Sequence, residues 1–413
     1  MSRYCVIGAG PAGLATARAL KRAGLSFDLL ERLPGLGGIW DISNPTSPIY
    51  ENTHLISSAR RSDFPGFAMP ADYPDYPRHD QVLAYLRAFA EEFGLTERIE
   101  FETAVEEVSP DGEGWAVRVA GARPRRYDGV VVATGHNWQP RLPRYPGRFG
   151  GEVLHSKEYR APRDMEGKRV LVVGGGNSAC DIACDILEAA ASVTVSLRRG
   201  YHFLPKYVFG LPTDEVAQSG SVSPLALAML HDELRRRLER HGVPRPDHRP
   251  SEANPVVNTR IIEAIVGDEV TIAPDVECFD GERVRFLDGS EAIFDAIVFA
   301  TGYRHEVPTL AGWLPWRNGR PLLTLNMFPR DRDGLAVMGL FETNGSAFPI
   351  VAAQADLAVS AFRSGPGAAR RLAALTSSSP GDGRNYVRSG RHLIAVDRAD
   401  YLDEVARAQE ALA

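Results

Sequence analysis

Cysteine is scarce in this chain, occurring four times, at 5, 180, 184 and 278. No two form a Cys-x-x-Cys, and the nearest pair, Cys180 and Cys184, would lie one helical turn apart, too far for an easy disulfide. This excludes redox chemistry run by an adjacent thiol pair. The ten histidines show no metal-ligand spacing, so no metal is expected. Lysine is almost missing, four of the 47 basic residues, an arginine bias read as base composition without functional weight. Basic blocks are absent and the net charge is -6, which argues against nucleic acid or an anionic membrane as partner. No apolar run approaches the length of a membrane span. A strand at Tyr4-Cys5-Val6-Ile7 begins too early to leave room for a signal peptide, so a cytoplasmic protein is the expectation.

What the chain does have is glycine in two particular places. Gly8-Ala9-Gly10-Pro11-Ala12-Gly13 ends a strand at the N-terminus, and Gly174-Gly175-Gly176-Asn177-Ser178-Ala179 follows a strand at Val170 to Val173. Such turns need glycine for the tight bend and for close backbone approach, so that a pyrophosphate can rest on the amides opening the next helix. Two turns imply two dinucleotides, and hence an electron-transfer pair of nicotinamide donor and flavin acceptor. With 413 residues, 44% of them hydrophobic and 24% charged, the chain has material for two globular cores.

The first 32 residues read as a βαβ unit: strand Tyr4 to Ile7, helix Pro11 to Ala23, strand Ser26 to Leu30, then Glu31. A carboxylate at that place can accept hydrogen bonds from an adenosine ribose. Residues 41–80 read as an ordered loop region, followed by a helix from Gln81 to Glu92. Strands at Ile99 to Phe101, Ala104 to Val108 and Trp115 to Val119 suggest a β-meander, and Gly129 to Ala133 returns to a parallel sheet before Thr134-Gly135. The second unit repeats the logic, with a helix from Asn177 to about Ala190 and a strand Val193 to Leu197 ending in Arg198-Arg199. Arginines there accommodate a 2′-phosphate and favour NADPH over NADH. The spacing of Leu227, Leu230, Leu234 and Leu238 predicts a helix facing the core, with Arg235, Arg236, Arg237 and Arg240 on its solvated side. A strand Asp295 to Ala300 ends in Thr301-Gly302-Tyr303. A last strand, Leu335 to Met338, a helix from about Pro349, a flexible loop Ser377 to Gly383 and a C-terminal helix complete the chain.

Between the glycine turns, Phe149-Gly150-Gly151-Glu152-Val153-Leu154-His155-Ser156-Lys157-Glu158-Tyr159 fits F-x-G-x-x-x-H-x-x-x-[Y/F] and resembles the fingerprint of flavin-containing monooxygenases. Gly37-Gly38-Ile39-Trp40, Ala133-Thr134-Gly135, Phe299-Ala300-Thr301-Gly302-Tyr303 and Gln354-Ala355 agree with it. The resemblance implies an α/β fold of two Rossmann-like dinucleotide-binding domains, an FAD domain with an NADPH domain inserted. The expected boundaries are residues 1–162 for the first FAD part, 163–302 for the NADPH domain and 303–413 for the return to the FAD domain. It implies an NADPH- and O2-dependent monooxygenase that oxygenates a nitrogen or sulfur of a small molecule through a flavin C4a-hydroperoxide. A Baeyer-Villiger or oxidatively decarboxylating reaction is one alternative, although Tyr159-Arg160 departs from the Baeyer-Villiger pattern. A flavoprotein without oxygen transfer, an NADPH oxidase or regulator, is the other. The partner expected is a small-molecule substrate, and the family often forms homodimers.

For FAD the resemblance points to Gly8, Gly10, Pro11, Ala12, Gly13, Glu31, Arg32, Gly38, Ile39, Trp40, His54, Val105, Thr134, Gly135 and Gln354. For NADPH it points to Tyr159, Gly174, Gly176, Asn177, Ser178, Ala179, Arg198, Arg199, Thr301, Gly302 and Tyr303. His155 is read as a positioning residue, and Lys206-Tyr207 as neighbours of nicotinamide and substrate. Two departures stand out. Many members place an Asn, with a Lys three residues later, where this chain has Ile56 and Ala59, which leaves Ile56, Ser57 and Tyr207 as the active-site candidates. The family's arginine after Gln-Ala is here Asp356, for which the sequence offers no physical reason.

Overall fold

The computed structural model describes residues 3–219, 222–375, 386–387 and 392–412. The chain divides into two compact units. One holds residues up to Ser47, Ala59–Gln139 and the chain from His305 onward; the other holds Pro48–Ser58 and Pro140–Arg304.

The first unit is built on a five-stranded parallel sheet with spatial order Leu335–Val337, Gly129–Val132, Arg3–Ile7, Ser26–Leu30, Ile99–Glu100. The apolar runs of its central strands are buried on both faces, as a parallel sheet covered by helices requires; Cys5, Val6 and Val130 through Val132 are at most 1% exposed. Helix Pro11–Arg22 packs against helix Phe348–Arg363, and helix Arg398–Glu410 packs against the latter. The meander differs from expectation. Ile99–Glu100 joins the parallel sheet beside Ser26–Leu30, and the antiparallel sheet is Val105–Asp111, Gly114–Val119 and Arg125–Tyr127. The third strand is anchored by Tyr127, which is 1% exposed and bonds Asp28 through its hydroxyl at 2.6 Å.

Residues 59–78 are mostly irregular but fixed by side chains. The Tyr85 hydroxyl accepts from Phe64 N–H at 2.6 Å and donates to Phe67 O at 2.7 Å, and Phe64 stacks on Phe348 with ring centroids 4.9 Å apart. The following helix is His79–Glu92. A helix at Ala368–Leu375 was not expected from the sequence. The loop expected at Ser377 to Gly383 lies outside the described residues.

The second unit repeats the architecture with the parallel order Glu152–His155, Ala296–Phe299, Arg169–Val173, Ser192–Ser196, Val270–Ala273. It begins at Pro140 rather than at 163 because Gly147–Phe149 and Glu152–His155 are strands of its two larger sheets. The helix after the second glycine turn is Asn177–Asp185, shorter than expected, the chain continuing to Ala190 in turns. Helix Pro224–Glu239 corrects the periodicity reading at its first half. Leu238 is buried, but Leu230 is 41% exposed and Met229 65%. Arg235 is not simply solvated, being held by Asp232 and Glu239. Among the described residues, no helix is long and apolar enough to cross a membrane.

Several imidazoles are held below their ordinary proton affinity. Desolvation and the neighbouring His305, with ring centroids 5.6 Å apart, lower His136 to about 4. Burial lowers His202 and His231, whose ring nitrogens approach to 3.2 Å. A histidine with lowered affinity binds fewer protons folded than unfolded, so its contribution is whole above about 6.5 and is lost as pH falls toward the folded value. Stability in urea should therefore decline between pH 6.5 and 4. His136→Gln should flatten that decline; an unchanged slope in urea titrations of the variant would count against this origin.

Candidate functional site

The first glycine turn is imposed by backbone crowding. Gly8 has φ of 102°, and a Cβ there would lie 2.6 Å from Ala133 O; one on Gly13 would lie 1.8 Å from Gly8 O. Gly37 N–H donates to Ala9 O at 3.0 Å, which draws the Gly38–Trp40 3-10 turn over the first turn and leaves Gly10 and Gly38 facing each other, a Cβ on Gly38 reaching within 3.0 Å of Gly10 Cα. Helix Pro11–Arg22 starts with proline and no side-chain cap. Its opening amides, those of Ala12 and Gly13, are therefore oriented for an external anion.

Around this turn the expected residues separate into two groups. Thr134 and Gly135 are exposed at the end of strand Gly129–Val132, and Ile39, Trp40 and Val105 are half-buried. Glu31 is 6% exposed, and its two oxygens accept Ala9 N–H at 2.7 Å and Leu33 N–H at 3.0 Å. Each oxygen keeps a second lone pair, so the carboxylate closes the turn and can still accept from a hydroxyl. Arg32 is committed to Thr46 Oγ1 at 2.6 Å. Gln354, expected at the flavin end, is fully buried with both amide ends engaged: Oε1 accepts from Gly339 N–H at 3.0 Å and Nε2 donates to Tyr401 Oη at 2.7 Å. Asp356 gains its reason here, as an ion pair with Arg22 at 2.5 Å.

The second turn uses the same device. Gly174 has φ of 134°, and a Cβ on it would lie 2.4 Å from Ala300 O, whereas one on Gly176 meets nothing within 4 Å. Helix Asn177–Asp185 again lacks a side-chain cap; Asn177 Oδ1 instead accepts Val257 N–H at 3.3 Å, Ser178 is exposed and Ala179 buried. At the end of strand Ser192–Ser196, Arg198 is exposed, but Arg199 bonds both oxygens of Asp247, at 2.9 and 3.1 Å. That guanidinium, with His248, holds the Asp247 carboxyl down at about 2. Tyr159 is 0% exposed and bonds Asp185 at 2.5 Å, with its ring edge against Tyr50. It therefore braces the core and has no surface for a nucleotide, which corrects its expected role.

His155 is likewise internal. Nδ1 accepts from Lys157 N–H at 3.1 Å, which places the proton on Nε2 for donation to Gly302 O at 3.1 Å. Thr301 Oγ1 donates to Arg141 O at 2.6 Å, and Tyr303 sets its ring 5.2 Å from that of His155. Burial raises the Tyr303 hydroxyl to about 12.

His54, expected beside FAD, belongs to the second unit. Its Nε2 meets Lys206 Nζ, and Nδ1 lies 3.1 Å from Asn52 O. Asp181, one turn along the helix from Asn177, stands in the field of both, bonded by Asn258 Nδ2 at 2.6 Å. Burial pushes the Asp181 carboxyl up and the Lys206 ammonium down. This cluster of His54, Asp181, Lys206 and Asn258 has no local sequence signal, since its members come from four distant segments. Ile56 is 42% exposed, Ser57 6% and Tyr207 44%.

A model of the flavin-binding monooxygenase-like family matches residues 1–412 of this chain. The chain is 33% identical over 354 residues to an indole-3-pyruvate monooxygenase, YUCCA1, of Oryza sativa subsp. japonica, covering 81% of this chain and 85% of that protein. It is 32% identical over 443 residues to dimethylaniline monooxygenase [N-oxide-forming] 2 of Rattus norvegicus, covering 98% and 82%. The solved S-allyl-L-cysteine S-oxygenase of Allium sativum shares the fold, with a TM-score of 0.73 at 22% identity, covering 99% of this chain and 88% of that one.

The internal bonding of Gln354 has a direct consequence. Gln354→Leu should cost about 1–3 kcal/mol, because Gly339 N–H is left buried without an acceptor. Asp356→Ala, which breaks a partly exposed ion pair, should stay within about 1 kcal/mol. Urea unfolding of the two variants measures the difference; equal losses would contradict the internal role of Gln354.

Proposed function

Because the chain belongs to the flavin-binding monooxygenase-like family, we propose that it is an NADPH- and O2-dependent flavoprotein monooxygenase that oxygenates a nitrogen or sulfur atom of a small molecule. The observation that supports this best is the pair of equivalent turns, each with a glycine forced against the carbonyl of an Ala-Thr-Gly segment. One is followed by a buried carboxylate, Glu31, suited to a ribose, and the other by an exposed Arg198, suited to a 2′-phosphate. The N-oxide-forming name of the rat relative and the S-oxygenase name of the garlic structure agree with a soft nitrogen or sulfur as the oxygen acceptor.

The glycine cradles fit the two dinucleotides. In the first unit Gly8, Gly10 and Gly13 would admit the FAD pyrophosphate to the amides of Ala12 and Gly13, with Gly38, Ile39 and Trp40 alongside and Val105, Thr134 and Gly135 at its margins. In the second, Gly174, Gly176, Asn177 and Ser178 would do the same for NADPH, and Arg198 would take its 2′-phosphate. Bound there, the two cofactors would supply hydride transfer and O2 activation. The chain's own work is to bind, orient and exclude water. Lys206 brings an amine against the His54 imidazole, its proton affinity lowered by burial and in part restored by Asp181.

A second reading rests on the 33% identity to the indole-3-pyruvate monooxygenase, whose name points to oxidation of a keto acid. A third, without oxygen transfer, rests on Ile56, which brings no hydrogen-bonding group where the family pattern has an amide. Product analysis separates the three. Tertiary amines and organic sulfides should give N-oxide or sulfoxide in nearly one-to-one yield with NADPH; ester or decarboxylated acid would support the second reading, and hydrogen peroxide with every compound tried would remove the proposal. The cofactor assignments have their own test. Gly174→Ala should abolish NADPH binding while FAD is retained, Gly8→Ala should lose FAD, and Arg198→Ala should raise the KM for NADPH about tenfold or more, the worth of a charged hydrogen bond, without changing that for NADH.

A further inference from the structure

Arg199 follows the strand that ends beside the second glycine turn, and its surroundings are packed on that turn. Gly174 N–H donates to Ser196 O at 3.1 Å. A Cβ on Gly175 would collide with the Tyr201 ring and lie 2.8 Å from the Leu197 side chain. Residues on both sides of the Arg198-Arg199 pair therefore lie against the turn, all within the second unit. Gly200 is packed as closely on its other neighbour, since a Cβ there would collide with the backbone from Pro244 to Pro246. That contact delivers the next residue, Asp247, to Arg199. His202 Nε2–H donates to His248 O at 3.0 Å and holds the loop from its far side, so the Asp247 carboxylate is presented by fixed backbone.

The bond between the two side chains is incomplete. Both Asp247 oxygens bear on Nη2 of Arg199, at 2.9 and 3.1 Å. Nε, the other donor on the same edge of the guanidinium, is buried and finds no acceptor among the described residues. An anion in fork geometry would use both donors, and a buried donor left without a partner calls for an explanation. The Arg199 side chain is 24% exposed and that of Asp247 66%, so the acid is the superficial member of the pair. It also has a second partner, His248 Nδ1–H at 2.8 Å, a bond it can keep when another anion takes the guanidinium.

We propose that Asp247 is an internal counter-anion standing on Arg199 in place of the 2′-phosphate of NADPH, and that it sets how strongly the protein prefers NADPH to NADH. This rests on the dinucleotide reading of the second turn and adds the residue that determines its specificity. A phosphate brings oxygens enough for Nε and Nη2 of Arg199 together, and for Arg198 beside them. A carboxylate remaining on that edge repels it. The 2′-hydroxyl of NADH carries no charge, and an acid at this level of the fold suits it. Asp247 therefore opposes one coenzyme and not the other.

The test is Asp247→Asn in the full chain, read by titration calorimetry with adenosine 2′,5′-bisphosphate and with 5′-AMP. The two probes differ only in the 2′-phosphate and need neither hydride transfer nor turnover. The bisphosphate should bind the variant about three- to fivefold more tightly than the wild type, the worth of one exposed ion pair, while 5′-AMP binds both alike. Asp247→Ser, which also removes the charge, should do the same. Arg199→Ala should weaken bisphosphate binding about tenfold, the loss of a charged hydrogen bond, and should erase the gain from Asp247→Asn in the double variant. Bisphosphate binding that is equal or weaker in both Asp247 variants overturns the proposal, because the acid would then be orienting Arg199. A wild type that binds the bisphosphate no better than 5′-AMP removes the NADPH reading itself, and the proposal with it.

Discussion

Both units depend on the same steric constraint, the approach of a strand-ending glycine to the carbonyl oxygen of a neighbouring strand. Gly8 lies against Ala133 and Gly174 against Ala300 so closely that any Cβ would sit within 2.6 Å of oxygen. Each carbonyl belongs to an Ala-Thr-Gly segment that leaves its sheet at the same level as the turn. The contact fixes where the following helix begins, and the helix start fixes where uncapped amides point. A binding site for a pyrophosphate is therefore a by-product of how two strands and a helix are allowed to touch.

Around this repeated frame, irregular chain is held by side chains that bond backbone. Tyr85 fastens the Phe64 to Phe67 stretch, His155 fastens the turn to Gly302, and Tyr401 with Gln354 fastens the chain at Leu325 and Gly339. In each case a buried polar side chain bonds a backbone group of irregular chain, which is the condition for burying such chain. Several residues that look like ligand contacts in the sequence serve this purpose. Tyr159 and Gln354 carry the right chemistry for a cofactor, and the fold spends it internally.

The legible part of the sequence was the part governed by local rules. Glycine turns, buried parallel strands and the starts of their helices follow from spacing within some thirty residues, and they appear where the pattern places them. The meander was misassigned because Ile99 and Tyr127 differ in their tertiary partners and not in β-propensity. The helix at Pro224–Glu239 carries a regular leucine spacing, yet only its last turns meet a core, so periodicity overstated its burial. Asp356 was opaque because its partner, Arg22, is 334 residues away. The cluster of His54, Asp181, Lys206 and Asn258 was opaque for the same reason.

That cluster also shows how the nucleotide turn and the antiparallel hairpin of Tyr207–Val208 and Leu211–Pro212 become one construction. Asn177 accepts from Val257 beside the turn. The next residue, Asn258, bonds Asp181 with its amide nitrogen and caps the helix Thr259–Val266 with its oxygen, accepting Ile261 N–H at 2.9 Å. The first residue of that helix, Thr259, accepts Lys206 N–H, and Lys206 O accepts Thr213 N–H at the hairpin's base. The links, hydrogen bonds of 2.6 to 3.3 Å, connect segments distant in sequence, and two of them run through a single residue, Asn258. The nucleotide turn and Lys206 are therefore joined through backbone positions as well as through side chains.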